Sequence, residues 1–118
     1  MSGRSSQTKG RRAELELCDY LKQRGYNAVP GEAQSYGKTP DIYGLDRLHV
    51  ECKRHERLAL DAWMAQSETD AARFGDGCPV VIYRKNRQPW HIVMKLEDFL
   101  QFYNIPQKSA ECERGEYK

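Results

Sequence analysis

Residues 40–53 read Pro-Asp-Ile-Tyr-Gly-Leu-Asp-Arg-Leu-His-Val-Glu-Cys-Lys, which is the pattern of a β-hairpin. In its second half, residues 48, 50 and 52 are apolar and alternate with polar residues at 49, 51 and 53, as in a half-buried strand. Glu51 and Lys53 therefore share a face and lie about 7 Å apart along the strand. Asp41 begins the preceding strand, so its side chain can approach both of them across the hairpin.

This grouping of two carboxylates and a lysine has two interpretations. Carboxylate oxygens are what a hard divalent cation needs, and phosphodiester hydrolysis needs such a cation with a positive charge nearby. The simpler alternative is a surface hairpin in which Glu51 and Lys53 form an exposed ion pair.

A predicted helix upstream bears on this choice. It covers residues 10–24 and ends at Gly25. At 100° per residue, the apolar residues at 17, 18 and 21 form one stripe, with Glu14 in its middle and Glu16 on the opposite side. A carboxylate aimed at a core is costly without a positive partner or a metal. Either Glu14 snorkels near the helix end, where the dipole favours it, or it reaches the same site as Asp41 and Glu51.

Positive charge crowds the first turn of this helix, at Lys9, Arg11 and Arg12. The helix dipole disfavours positive charge there by a few tenths of a kcal/mol for each residue, roughly. A helix N-terminus is also a ready anion site, so the pattern favours a phosphate ligand.

These features resemble the PD-(D/E)xK nuclease superfamily, and in order and spacing its Holliday junction resolvase-like branch of small phage and prophage endonucleases. The resemblance covers residues 9–103. The segments that carry it are Lys9-Gly10-x-x-x-Glu14, Gly25-Tyr26, Pro40-Asp41, Glu51-Cys52-Lys53, Glu56-Arg57-Leu58, Gln66, Pro79-Val80-Val81, Arg84-Lys85-Asn86-Arg87-x-x-Trp90 and Leu96-Glu97-Asp98-Phe99-Leu100.

The resemblance implies a metal-dependent endodeoxyribonuclease, with the possibility of a structure-selective substrate. Mg²⁺ would be the cofactor, and Mn²⁺ could substitute for it. Its ligands would be Asp41, Glu51, the Cys52 backbone carbonyl and, directly or through water, Glu14. The implied catalytic residues are Glu14, Asp41, Glu51, Lys53 and Gln66, where Gln66 supports the site from the second helix.

The candidate contacts to DNA are mostly basic residues, clustered at the start of the chain, after the hairpin and in a later turn. Clusters of this kind also occur as solvated faces without a ligand. The predicted set is Lys9, Arg11, Arg12, Tyr36, Lys38, Arg54, His55, Arg84, Lys85 and Arg87.

The predicted fold is α/β, a restriction-endonuclease-like core of order α-β-β-β-α-β with a mixed central sheet flanked by helices. A final strand and helix follow this core. Besides the helix and hairpin above, we predict a strand at 26–30, a helix at 60–74, strands at 79–84 and 90–94, and a helix at 96–103. The expected domain boundaries are a flexible start at 1–8, a nuclease domain at 9–105 and a polar, disordered tail at 106–118.

Length and composition agree with a small nucleic-acid enzyme without requiring one. The chain has 118 residues, a length typical of one domain. Its net charge is only +2, so the net charge alone does not indicate a nucleic-acid partner. The four cysteines show no zinc spacing, and no signal peptide or membrane-spanning run is evident. We therefore expect a reducing, cytoplasmic setting, no membrane association and no organic cofactor. The resemblance implies a protein of a bacterial host or one encoded by a phage.

DNA is the expected partner, and junction cleavage would need a homodimer with two coordinated sites. Two alternatives remain at this point. One is a non-catalytic DNA-binding module on the same fold. The other is an interaction protein that uses Trp63, Trp90, Phe99 and Tyr103, although their periodicity is more typical of a core.

Overall fold

The computed structural model describes the backbone of residues 2–32 and 39–103, with side chains from Gly10 onward in those ranges. The elements follow the predicted order, with the expected final strand and helix. They are α1 (Ser2–Gln23), β1 (Val29–Pro30), β2 (Ile42–Tyr43), β3 (Leu48–Arg54), α2 (Leu60–Phe74), β4 (Cys78–Arg84), β5 (His91–Met94) and α3 (Leu96–Tyr103). No helix within these ranges has the length and apolar character needed to cross a membrane.

The five strands form one mixed sheet in the order β1-β2-β3-β4-β5. Neighbouring strands are antiparallel, except that β3 and β4 run parallel, from the pair Leu48 and Cys78 to the pair Arg54 and Arg84. A parallel pair cannot be joined by a tight turn, and α2 supplies the crossover. The predicted α/β fold with a mixed sheet and flanking helices is confirmed.

The main core lies between α1 and one face of the sheet. Val50 and Cys52 of β3 are buried there together with Val80 and Ile82 of β4. The predicted apolar stripe of α1 packs against these strands, with Leu17 and Cys18 fully buried and Leu21 partly buried. Ala13 of the same helix is also fully buried. The predicted alternation of β3 is therefore correct on this face.

The opposite face of β3 is also covered, which corrects the expectation of a half-buried strand. His49 and Glu51 are only 0% and 4% exposed. Both lie on the side of α2, where the His49 ring stacks on Phe74 at 5.8 Å between ring centroids. Because β3 is the central strand of the sheet, helices cover both of its faces. The polar residues His49 and Glu51 are therefore buried under α2.

Several helix and strand boundaries in the structure differ from the predicted ones. The first helix begins at Ser2 rather than at residue 10, because the polar residues before Gly10 continue the helix without an apolar stripe to signal it. The strand predicted at 26–30 is reduced to Val29–Pro30, β4 starts one residue earlier and β5 one residue later than predicted. The helices at 60–74 and 96–103 are confirmed. The domain limits stay predictions, and residues 106–118 lie outside the described ranges.

The last helix is not part of the core, contrary to the periodicity argument. Trp63 is buried and Trp90 packs against the core, but Phe99 and Tyr103 are 45% and 66% exposed. None of the eight residues of α3, all of which are described, is buried. The reason is positional: α3 follows the edge strand β5 and has no layer packed over it among the described residues.

Candidate active site

Asp41 is held against the central strand by backbone groups. Its Oδ2 accepts a hydrogen bond of 2.8 Å from the Cys52 backbone N–H. On its other side, the Gly31 N–H donates to the Asp41 carbonyl at 2.8 Å. A Cβ atom at Gly31 would lie 2.0 Å from the Pro40 carbonyl oxygen, so only glycine allows this close approach of the two segments. The short β1–β2 pairing thus fixes the position of the Asp41 carboxylate.

Glu14 lies against Asp41, on the side of α1. Burial raises the pKa of Glu14 to about 7, with the negative charge of Asp41 and a hydrogen bond shared with it adding to the effect, and Arg11 opposing it. The Glu14 side chain is 19% exposed, and its Oε1 is 3.6 Å from the Arg11 guanidinium. Glu14 lies well inside α1 and not near its end, so the snorkelling alternative does not describe its position.

Glu51 completes a group of three neighbouring carboxylates. Burial raises its pKa, and the charge of Asp41 and a hydrogen bond with Asp70 act in the same direction, whereas His49 and Lys53 lower it. The pKa of Asp41 is also raised by burial, although the Cys52 amide and Lys53 lower it. Burial raises the pKa of all three carboxylates, and the charge of Asp41 raises the pKa of the other two. A buried group of this kind is a donor set for a cation, because a cation offsets the buried negative charge.

Lys53 and Gln66 form the basic side of the site. The Lys53 ammonium donates a hydrogen bond of 3.0 Å to the Gln66 Oε1 of α2. Its charge is close enough to lower the pKa of both Asp41 and Glu51. Glu51 and Lys53 thus share the face of β3 that the alternation predicted, and Gln66 of α2 reaches Lys53 on that face. Because Gln66 contacts Lys53, its position suits an orienting residue.

Three of the predicted DNA contacts are engaged within the protein. The Arg11 guanidinium donates to the Gly31 carbonyl. Glu16 binds Arg54 at 2.8 Å and also Arg84, which are the last residues of two neighbouring strands. Glu16 therefore joins α1 to the ends of β3 and β4, instead of lying alone on the far side of the helix.

The remaining candidates divide into two groups. Arg12, His55, Lys85 and Arg87 are exposed. The His55 ring also lies 5.3 Å from the Trp63 ring. The side chains of Lys9, Tyr36 and Lys38 lie outside the described residues. The exposed basic residues therefore remain the structure's candidates for phosphate contacts.

Sequence reasoning gave no role to three residues around Glu51: His49, Asp70 and Asp76. The signals were present in part, because His49 alternates onto the face of Glu51, and Asp70 is one helical turn after Gln66. Asp76 was not recognisable, since its contact with His49 joins residues 27 positions apart.

The pKa of Glu14 predicts how the stability of the metal-free protein depends on pH. The ordinary value is 4.5, so between that value and about 7 the folded state holds a proton that the unfolded state has lost. Stability therefore falls as pH rises through this window. The Glu14→Gln variant has no such proton, and we expect it to be more stable than wild type near pH 8 by roughly 1–2 kcal/mol, a value already reduced for partial exposure.

Urea denaturation in EDTA, at low and high pH, measures this difference. Asp19→Asn is the control, an exposed carboxylate on the same helix, and should show the pH dependence of the wild type. Equal stability of wild type and Glu14→Gln across the whole range would show that Glu14 does not retain its proton.

A mixed sheet of this topology, with carboxylates and a lysine on its central strands, defines a restriction-endonuclease-like nuclease core. Residues 5–117 match the family described as "Phage putative PDDEXK endonuclease", and the chain belongs to this family. The structure is similar to that of Hjc, a Holliday junction resolvase from the archaeal hyperthermophile Archaeoglobus fulgidus. The TM-score is 0.52 and the sequence identity 27%, over 73% of this chain and 72% of that one. No curated protein matches the chain by sequence. The resemblance to PD-(D/E)xK nucleases is thus confirmed.

Proposed function

We propose that this phage-family endonuclease hydrolyses DNA phosphodiester bonds with a divalent metal ion at Glu14, Asp41 and Glu51. The observation that carries the proposal is that Asp41 interacts with Glu14 on one side and with Glu51 on the other, beside Lys53. Carboxylates alone would suit many cation sites. A lysine that faces them adds the positive charge that a phosphate ester needs.

The residues present fit a hard cation, since the donors are carboxylate oxygens whose pKa values are raised by burial and, for Glu14 and Glu51, also by the charge of Asp41. Asp41 and Glu51 would be direct ligands, the Cys52 carbonyl a further one, and Glu14 a ligand directly or through water. Mg²⁺ is the ion we propose, with Mn²⁺ able to replace it. When bound, such an ion lowers the pKa of a coordinated water and neutralises charge on the phosphate.

The protein's own groups would do the remaining work. The Cys52 amide holds the Asp41 carboxylate in one orientation, so that ligand is preorganised. Gln66 fixes the Lys53 ammonium, which would stabilise the negative charge that develops on the phosphate oxygens. The exposed residues Arg12, Lys85 and Arg87 would contact backbone phosphates and position the DNA without reading its sequence.

For the substrate we propose branched DNA, with a four-way junction as the first candidate. Support comes from the likeness to Hjc, which is a Holliday junction resolvase. Symmetric cleavage of a junction requires two active sites, so this proposal includes a homodimer. Location in the cytoplasm of a bacterial host stays a prediction.

A cleavage panel tests the proposed function. Labelled junction, flap, nicked, single-stranded and plain duplex DNA are incubated with the protein in Mg²⁺, in Mn²⁺ and in EDTA. We expect metal-dependent cleavage that is fastest on the junction. Equal cleavage of all substrates would overturn the junction preference, whereas binding without cleavage in either metal would indicate a non-catalytic DNA-binding module.

The turn between β4 and β5 carries the exposed residues Lys85 and Arg87. We expect these residues to contribute to DNA affinity but not to the rate of cleavage. In the double variant Lys85→Gln with Arg87→Gln, we expect weaker binding to every DNA tested. If both side chains contact phosphates, the slope of log affinity against log salt should flatten by about 1.8, near 0.9 per contact. The rate at saturating DNA should change little, because neither residue is among the site carboxylates or beside Lys53.

Binding isotherms at several salt concentrations give this slope. The control is Lys22→Gln with Arg24→Gln, which removes the same charge from two exposed residues, one in the last turn of α1 and one just after it. If both double variants flatten the slope equally, the effect comes from net charge and the turn has no specific role.

A further inference from the structure

His49 is a fully buried histidine whose orientation is set from one side. Its side chain is 0% exposed, and its Nδ1 lies 2.9 Å from the Asp76 Oδ1. Asp76 reaches it from the turn after α2, where Gly75 and Gly77 adopt φ values of 65° and 149°. A Cβ atom at Gly77 would lie 2.4 Å from the Arg47 backbone, so the turn passes close to the start of β3. The Asp76 carboxylate accepts the Nδ1–H bond and thereby selects the tautomer of the ring.

The other ring nitrogen is left without a partner. In that tautomer Nε2 carries a lone pair, and it is buried with no hydrogen-bond partner among residues 10–32 and 39–103. The nearest carboxylate oxygen is Oε1 of Glu51 at 3.5 Å, which is beyond ordinary hydrogen-bond length. A lone pair facing a carboxylate in a buried place is unfavourable, so a positive group belongs between the two, either a proton on the ring or a bound cation.

Asp70 of α2 adds a third donor to this pair. One ligand atom from each of His49, Glu51 and Asp70 can be chosen so that all three lie within 4.8 Å of one another. Donor atoms bound side by side to one first-row cation lie about 2.1 Å from it and therefore roughly 3.0–3.6 Å from one another. Side-chain adjustment within this cluster would bring the three donors to that spacing. Arg73 is the neighbouring cation, with its guanidinium 3.6 Å from Asp70 and largely exposed.

We propose that His49 Nε2, Glu51 and Asp70 form a second cation site between β3 and α2, selective for a divalent transition metal such as Mn²⁺ or Zn²⁺ over Mg²⁺. Imidazole is a ligand that these ions accept far more readily than magnesium does. The Asp76–His49 pair has the arrangement of a carboxylate that orients a metal-binding histidine. Glu51 is common to this site and to the carboxylate group with Asp41 and Glu14. The inference depends on these contacts and not on the proposed cleavage of DNA.

Electron paramagnetic resonance of Mn²⁺ added to the untagged, DNA-free protein tests the site directly. Pulsed measurements detect the ¹⁴N coupling of an imidazole bound to manganese. We expect this coupling in wild-type protein, and we expect it to persist in an excess of Mg²⁺. The chain has three histidines. The coupling should be absent in His49→Gln and unchanged in His91→Gln, an exposed control on β5.

A second variant guards against loss of folding in His49→Gln. Asp70→Asn leaves the histidine in place and alters a partly exposed side chain, and it should weaken Mn²⁺ binding by about tenfold or more. Absence of ¹⁴N coupling in the wild type, or coupling that survives His49→Gln, would overturn the proposal and indicate a protonated His49 that bridges Asp76 and Glu51. Because no DNA is present, neither result depends on whether the protein is a nuclease.

Discussion

Replacing Asp41 by Asn or Glu51 by Gln is expected to reduce DNA cleavage by about two to three orders of magnitude, or to abolish it. Each change removes one negative oxygen donor from the proposed metal site, which weakens metal affinity and the activation of water together. The fold should persist. The Asp41→Asn variant keeps a side-chain oxygen that can accept the Cys52 amide hydrogen bond, and relief of buried negative charge favours the folded state.

Single-turnover cleavage of labelled DNA at saturating protein measures this loss, and circular dichroism with thermal melting checks the fold. Asp46→Asn and Glu97→Gln are matched controls, since both carboxylates are exposed and lie on the β2–β3 turn and on α3. The controls should cleave at the wild-type rate. Wild-type cleavage by the Asp41 or Glu51 variant would refute the assignment of the metal site.

Lys53→Ala is expected to separate chemistry from DNA binding. The ammonium lies beside Asp41 and Glu51 and is oriented by Gln66. If it stabilises charge in the transition state, its loss should lower the cleavage rate by about 10²–10³-fold. Affinity for DNA should change by much less, because one half-buried lysine is a small part of a backbone interface.

Binding isotherms in EDTA and single-turnover rates in Mg²⁺ provide the two readouts. Lys85→Ala is the control, because it removes the same charge from an exposed turn and should affect binding more than rate. Equal losses of affinity and of rate in Lys53→Ala would assign this lysine to substrate binding and not to catalysis.

Much of the candidate site was predictable because it depends on local periodicity. The two-residue repeat placed Glu51 and Lys53 on one face of β3, and the helical repeat aimed Glu14 at the core side of α1. Both patterns follow from the backbone geometry of a single element. The bounds of α2 and α3 were also correct, since each has clear terminal signals or a compact apolar pattern.

The errors concern contacts between distant segments. The sequence placed Glu16 on the side of the helix opposite the stripe and gave it no partner, yet it binds Arg84, 68 positions later in the chain. Burial of β3 on both faces requires α2 to cross over it, and exposure of α3 follows from its place after an edge strand. Helix periodicity reports an amphipathic face but not whether another element covers it, so Phe99 and Tyr103 could not be assigned correctly.

The parallel pairing of β3 with β4 shapes how the protein folds. Each β3 residue pairs with the residue thirty positions later, as Leu48 does with Cys78, whereas Ile42 pairs with Val50 only eight positions away. The β2–β3 hairpin therefore closes a short loop, and the β3–β4 ladder closes a long one at a larger entropic cost. We expect the hairpin to bring Asp41 and Glu51 together early, in contact with water. These two carboxylates then lose contact with water in a late step of refolding, when α2 packs against the sheet and β4 pairs with β3.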